Sequence, residues 1–428
     1  MLGKMKKGFY TIIFAQFLSS LADNALLIAA IAILTELLAP SWMSPLLKLF
    51  FTVSYVILAP FVGPFSDSFE KGRVMFLTNN IKVLGCILFF FNVHPLLAYA
   101  VVGFGAASYA PAKYGILTEL LPPDKLVFAN GWLESTTVVS ILLGTLLGGF
   151  LISDFFIHLI NDSGLTATLQ INSKSEAGLM VIVFIYALAA FFNLLIPKTG
   201  AVYSIYSKNP ITLTKRFYES NKILWNDKVG QISLAVTTLF WGAGATLQFI
   251  VLQWAQEQLN MTLDKAAMLQ GIVALGIIAG SILAGRLVNL RSSIKVLPVG
   301  VIMGLVVPLM TLASNIGTAS ILLIIIGTLA GFFVVPMNAL LQHRGYVTLS
   351  AGQSIAVQNF NENSNVLVML SVYAFLLFFD MSANTVVTLF GIFVAVTMAL
   401  VIAKYRRNKS TIEFDSLIGD KRSSVYQK

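Results

Sequence analysis

Hydrophobic residues occur along this chain in long blocks, and the polar positions collect between them. A helix that crosses a membrane needs roughly 20 mostly apolar residues. Twelve stretches qualify: 9–37, 46–66, 74–93, 95–118, 130–153, 178–197, 229–253, 265–289, 296–314, 319–341, 353–379 and 383–404. The pattern predicts an all-α membrane protein with twelve transmembrane helices. The first stretch follows Lys4, Lys6 and Lys7, in the manner of a secretory signal. It is too long for one, holds Asp23 and leads into further spans, so it is expected to remain as an uncleaved helix.

Composition removes the soluble alternative. Of 428 residues, 57% are hydrophobic and 11% charged, against about 25% charged in a typical soluble chain. That is too little polar surface to cover a water-soluble globule. A single cysteine excludes a disulfide framework and a thiolate cluster. Three histidines leave little for zinc or haem, so neither a metal nor a cofactor is expected.

The net charge of +9 is explained by where the cations sit. With the N-terminus inside, 23 Lys and Arg fall in cytoplasmic segments, three (Lys48, Lys174, Lys265) fall outside, and two (Lys82, Lys113) lie within spans. The bias places both termini in the cytoplasm. It also makes anionic lipid headgroups, rather than nucleic acid, the expected neighbours of that charge.

The longest cytoplasmic connection divides the chain into a first half, 1–197, a central loop, 198–228, a second half, 229–404, and a cytoplasmic tail, 405–428. The halves read as copies. Gly63 and Gly285 end spans two and eight, 222 residues apart, and Pro111 and Pro336 lie in spans four and ten, 225 apart. Glu134 and Glu362 lie 228 apart, and Asp67, four after Gly63, is matched by Asn289, four after Gly285. An ordered, nearly constant offset predicts a parallel six-plus-six repeat, as in major facilitator transporters.

Residue strings sharpen that resemblance. Gly63-Pro-Phe-Ser-Asp67-Ser-Phe-Glu-Lys-Gly72-Arg73 resembles the major facilitator loop between helices two and three, with two extra residues between Asp67 and Gly72. The resemblance implies that Gly63 permits close helix contact and that Asp67 and Arg73 form a breakable cytoplasmic latch; a plain polar turn is the alternative. A wider set stands in order along the chain: Ala22-Asp-Asn-Ala-Leu-Leu27, Ser108-Tyr-Ala-Pro-Ala-Lys-Tyr-Gly-Ile-Leu-Thr-Glu119, Ala129-Asn-Gly131, Trp241-Gly-Ala-Gly-Ala-Thr-Leu247, Gly331-Phe-Phe-Val-Val-Pro-Met-Asn-Ala-Leu-Leu-Gln342 and Ile355-Ala-Val-Gln-Asn-Phe-Asn-Glu-Asn363. This set resembles the bacterial lysophospholipid transporter family, a branch of the major facilitator superfamily. The family implies inward flipping of lysophosphatidylethanolamine and related lysolipids across the inner membrane. A cytoplasmic acyltransferase/acyl-carrier-protein synthetase, fused in some relatives and expected here as a separate partner, then reacylates them. The transporter is expected to act as a monomer.

Ionisable groups within a span cost roughly 2.5–3.5 kcal/mol each on insertion scales, which makes them functional candidates. In the resembled fold the first and fourth helices of each half line a central cavity. That assigns Asp23, Asn24, Lys113, Tyr114, Gln248 and Asn338 to one chamber, with Glu362 joining the substrate-binding set among Gln358, Asn359, Asn361 and Asn363. A zwitterionic headgroup asks for a carboxylate near its ammonium and a cation near its phosphate, roles suited to Asp23 and Lys113. A purely structural Asp23–Lys113 pair is the alternative. The amides around Glu362 either line water or bond helix to helix. Lys82 is expected to snorkel to an interface. Glu134, a partner for Lys113, and His343 complete the gating set with Gly63, Asp67 and Arg73. In the family the position of Gln248 is more often basic and that of His343 often acidic, which leaves an amide–imidazole contact, or packing alone, to close the outer gate here. Gly144-x3-Gly148, Gly276-x3-Gly280 and Gly327-x3-Gly331 read as small-residue ridges for close helix packing.

At about 0.8 kcal/mol per methylene, taking a sixteen-carbon tail into water would cost on the order of 12 kcal/mol. A lysolipid transporter is therefore expected to leave the tail in the bilayer and give only the headgroup a polar track, through side openings. The competing reading is a proton-coupled carrier of a small solute or drug, with Asp23 or Glu362 taking the proton. An enzyme is not expected. The acyltransferase pattern His-x4-Asp is missing, since Tyr99, Ser163 and Thr348 follow five after the three histidines, and there is no phosphate-binding Gly-x4-Gly-Lys-Ser/Thr loop. Residues 154–177 and the tail from 405 read as polar and mobile, with no role assigned.

Overall fold

A computed structural model describes residues 7–40, 43–162, 174–201, 209–261, 263–379, 381–410 and 417–418. Every regular element among them is helical. The elements are α1 (Lys7–Glu36), α2 (Met43–Ile57), α3 (Ala59–Ser66), α4 (Lys71–Phe90), α5 (Pro95–Leu120), α6 (Leu126–Leu151), α7 (Asp154–Asp162), α8 (Lys174–Leu194), α9 (Pro210–Asn226) and α10 (Gly230–Gln258). There follow α11 (Leu263–Leu287), α12 (Leu297–Val306), α13 (Ile316–Thr348), α14 (Ala351–Phe378) and α15 (Ala383–Lys409). Short 3-10 turns flank α12 at Leu290–Val296 and Val307–Leu312.

Among the described residues ten helical stretches are long and apolar enough to cross a membrane, and α2 with α3 makes an eleventh if the pair counts as one span. That pair was expected as one straight helix, 46–66. It bends by 66° instead, because Pro60 has no N–H to give and its ring would clash with the carbonyl one turn earlier. The expected span 353–379 does form a helix, α14, but its amides keep it out of the apolar set. The expected loop 154–177 contains α7 and the start of α8, with 163–173 outside the described residues. In the tail, 411–416 and 419–428 also lie outside them.

The chain divides into two compact units: Met1–Leu120 with Val139–Thr214, and Leu121–Val138 with Lys215–Lys428. Helix α6 contributes to both. In the first unit small side chains on α1 (Ala22, Ala25, Ala29, Ala30) pack with Tyr99 and Val102 of α5 and Ile182 and Tyr186 of α8. Gly144 and Gly148 seat α6 on α1, since a Cβ at either would come within 2.8 Å or less of an α1 backbone carbonyl. In the second unit the other two glycine ridges face each other. Gly276 meets Gly327, Gly280 meets the backbone of Thr328, and Gly331 meets Ile277 and Ser281, so α11 and α13 touch backbone to backbone. Large apolar side chains such as Leu146, Phe184 and Leu400 point outward, each more than 60% exposed, as helices bounded by lipid require.

Candidate functional site

Asp23 sits near the middle of α1 and Lys82 near the middle of α4, and their side chains meet. Lys82 Nζ lies 2.8 Å from each carboxylate oxygen of Asp23. Tyr186 of α8 donates its hydroxyl to Asp23 Oδ1 at 2.6 Å. Lys82 also donates to Ser19 Oγ at 2.9 Å, and that hydroxyl donates to Asn79 Oδ1 at 2.8 Å. The Tyr109 and Tyr186 rings lie 5.0 and 5.5 Å from the ammonium, within cation–π range. The lysine stem rests on Gly105 of α5, where a Cβ would come within 2.7 Å of Lys82 Cγ. Glycine there gives the side chain room to turn inward.

This corrects two expectations. Lys82 does not snorkel. It stands about 16 Å along α4 from Lys71, and its side chain is 1% exposed. An ammonium that deep needs a counter-charge, and Asp23 supplies it. Asp23 therefore pairs with Lys82, not Lys113, while its own side chain keeps 19% exposure. Lys113 on α5 is half-buried, with its ammonium 4.3 Å from the centroid of the Tyr114 ring. Asn24 turns its amide to the Ser20 carbonyl of its own helix, 2.8 Å away.

Where α4 begins, the anticipated latch has other partners. Asp67 pairs with Lys71 at 2.8 Å, and Arg73 pairs with Glu70 at 3.1 Å. Lys71, with a side chain wholly buried, also donates to the Ser66 carbonyl at 2.7 Å and lies 3.5 Å from Glu119 of α5. The extra residues after Asp67 put Lys71, the first residue of α4, four positions on across the turn, so it takes the place expected for Arg73. Gly63, on α3, is buried and accepts the Asp67 N–H at its carbonyl, 2.9 Å away.

In the second unit Gln358 of α14 donates to Glu362 Oε1 at 2.8 Å and to Asn338 Oδ1 of α13 at 3.1 Å. All three are buried. The neighbouring amides bond helix to helix: Asn361 donates to Asn221 of α9, and Asn365 to the Thr238 carbonyl of α10, each at 2.9 Å. Asn363 caps back onto the Asn359 carbonyl. Asn130 of α6 and Gln342 of α13 exchange two hydrogen bonds of 2.9 Å. Their neighbours Glu134 and His343 are buried. Gln248 is exposed and bonds Gln270 at 2.8 Å rather than His343, so the amide–imidazole contact does not form. Next to His343, Arg344 holds Asp227 through Nε and Nη2 at 2.8 to 3.1 Å, while Asp227 caps the start of α10 by accepting from Gly230 N at 2.7 Å.

Sequence reading passes over three of these groups. Tyr186, Asn130 and Gln342 are neutral, and nothing in a linear pattern separates them from packing residues. Lys82 does carry a signal, a charge at the centre of a span, too deep for its ammonium to reach the interface. No cluster of three or more metal-ligating side chains occurs among the described residues.

The sequence matches the description of the Major Facilitator Superfamily over residues 12–364. The lysophospholipid transporter LplT of Yersinia enterocolitica serotype O:8 is 42% identical over 372 residues, covering 86% of this chain and 87% of that one. The LplT of Yersinia pestis strain Pestoides F matches to the same extent. Among solved structures, the E. coli fucose:proton symporter superposes with a TM-score of 0.69 at 15% identity, covering 94% of this chain and 98% of that chain. An outward-facing bacterial homologue of the iron transporter ferroportin gives 0.68 at 13%, covering 95% and 100%. At those identities the structural likeness speaks to the fold alone.

Proposed function

This chain belongs to the major facilitator superfamily and within it to the lysophospholipid transporters, and we propose that it moves lysophospholipids from the outer to the inner leaflet of the bacterial inner membrane. The observation that carries the substrate class is the 42% identity over 86% of the chain to transporters of that name. The chemistry fits. A lysophosphatidylethanolamine headgroup brings an ammonium and a phosphate, and Asp23 keeps one part-exposed carboxylate beside a fully buried counter-ion. In this reading the headgroup ammonium competes with Lys82 for Asp23, and Lys113 meets the phosphate. Asn338, Gln358 and Glu362 form a second polar station in the other unit. The acyl tail stays in the bilayer, which avoids the cost of wetting its methylenes.

The finer architecture belongs to the same proposal. Helix α14 serves as the twelfth crossing, with Asn361, Asn365 and Gln358 bonded to α9, α10 and α13. Both termini face the cytoplasm, and 1–197 and 229–404 act as the two moving halves around the loop 198–228. Asp67 and Lys71, and separately Glu134 and His343 beside the Asn130–Gln342 pair, act in gating. The product passes to a cytoplasmic acyltransferase, and the transporter works as a monomer.

The test is reconstitution of the purified chain into liposomes, following fluorescent lysophosphatidylethanolamine between leaflets with and without a proton gradient. Flipping without a gradient is the expected result. Absence of flipping in both conditions would refute the lipid reading and point to a small-solute carrier.

A further inference from the structure

Beyond the transport path, helix α9 carries a pattern that its own packing leaves unexplained. Ile211, Tyr218 and Trp225 recur at intervals of seven, as do Lys215 and Lys222, each four residues after one of the first two. Spacings of four and seven gather all five on one side of a helix. With Arg216 the helix holds three cations against one carboxylate, Glu219.

The opposite side makes the fold. Leu224 is fully buried in a cluster with Leu234, Leu341 and Val357, and the Phe217 and Phe360 rings meet at 5.3 Å between centroids. Asn221 accepts from Asn361 at 2.9 Å. Helix α9 is thus held to α14 without the outer stripe, whose Ile211 and Tyr218 are 79% and 68% exposed. Lys215 and Lys222 are exposed as well, and among the described residues neither enters an ion pair.

Two contacts fix which way the stripe looks. Glu219 and Asn226, seven apart, line an open groove with Ile223, Asp227 and Thr348, so that flank of α9 faces the turn between α13 and α14. Trp225 lies on the other flank and donates its Nε1 to Asn361 Oδ1 at 3.1 Å. Asn361 is ten residues into α14, about 15 Å from that turn. Tyr218 shares the Trp225 flank. It therefore looks along α14 toward the stretch where Val368, Val372 and Phe375 are exposed as lipid-facing side chains are, while the Glu219 flank looks away from it.

We infer that α9 is an interfacial anchor, with Ile211, Tyr218 and Trp225 seated at the headgroup–acyl boundary of the bilayer and Lys215 and Lys222 on anionic phospholipid headgroups. Tyrosine and tryptophan favour that depth, where a ring is buried and its polar tip is wet. A lysine four residues on lays its stem along the apolar stripe and lifts its ammonium to the phosphates. An acidic soluble protein would match the charge, but the aromatic flank points toward the lipid-bounded part of α14 rather than away from it. The site is separate from the Asp23 station and does not depend on which substrate the chain carries.

The experiment uses the full chain with Cys86→Ala and Tyr218→Cys, labelled with bimane and reconstituted into phosphatidylcholine vesicles. These contain an equal small fraction of phosphatidylcholine or phosphatidylglycerol brominated near the top of the acyl chain. Both brominated lipids should quench the label at 218, phosphatidylglycerol several-fold more strongly, and aqueous iodide should quench it weakly. A label at Glu219→Cys should show the reverse, iodide quenching and little effect of lipid. Each lysine is expected to enrich the anionic lipid about fivefold, so Lys215→Gln/Lys222→Gln should bring phosphatidylglycerol down to the phosphatidylcholine level with an unchanged thermal midpoint. Strong iodide quenching at 218 without lipid quenching would overturn the inference and leave that face to a soluble partner. Equal quenching by the two lipids, or a phosphatidylglycerol excess that survives loss of both lysines, would overturn it too. None of these results depends on whether the liposome assay shows flipping.

Discussion

A lysine ammonium, two tyrosines and a carboxylate share the middle of the first unit, and what each contributes can be separated by substitution. Asp23→Asn should keep the hydrogen bond from Tyr186 but lose the charge that attracts the headgroup. We expect well-expressed protein that inserts into membranes and flips lysophosphatidylethanolamine poorly, and normal uptake by that variant would defeat the role given to Asp23. Lys82→Met removes the counter-ion from a largely buried carboxylate, a change that costs about 3–5 kcal/mol when one partner of a buried pair is lost. Its thermal midpoint should fall clearly. Combining Asp23→Asn with Lys82→Met should recover much of that stability, because the two residues are in direct contact and their effects are not additive. Transport should not return. Recovery of flipping along with stability would mean that the pair only holds the helices together.

Between elements, two kinds of contact carry the packing. Where glycines meet, backbones touch: Gly280 of α11 lies directly on the Thr328 carbonyl of α13. Gly280→Leu leaves the larger side chain no space, and overpacking of this kind costs about 1–3 kcal/mol or more; a lower melting temperature and loss of flipping are expected together. Where amides meet, hydrogen bonds replace apolar contact. Asn130→Leu strands both amide atoms of Gln342 in a buried site, at about 1–3 kcal/mol. The Asn130→Leu/Gln342→Leu double variant should lose less than the two single variants combined, and a double-mutant cycle on the thermal midpoint measures the difference. Helix α14 shows the same principle along its length. Its Asn and Gln residues lower its hydropathy below that of a membrane span, yet Asn361, Asn365 and Gln358 find partners on three other helices. Of the two readings open for this stretch, bonding between helices accounts for these three.

For the whole molecule, the direction of transport and its energy source are read by one assay: flipping in liposomes is expected to persist when the proton gradient is collapsed, and strict dependence on the gradient would instead assign Asp23 or Glu362 a proton-carrying role. A helical, membrane-spanning chain is legible from the residues alone, because block hydrophobicity follows from the thickness of the bilayer and needs no tertiary contact. The family is legible in the same way, because ordered strings such as Ser108–Glu119 and Ile355–Asn363 are read without knowing what they touch. Glycine ridges were legible for the same local reason: Gly276 and Gly280 share one face whatever stands opposite. Partners were not. Along the chain Asp23 is matched only with Lys113, and it is the inward turn of Lys82 over Gly105 that supplies its actual partner. Asp67 has Arg73 by analogy and Lys71 by geometry, since the turn at 67–70 brings the start of α4 back onto the end of α3. Spacing along a chain fixes which residues share a face of a helix, whereas charge pairing depends on which faces of different helices meet, and that is decided only when the helices pack.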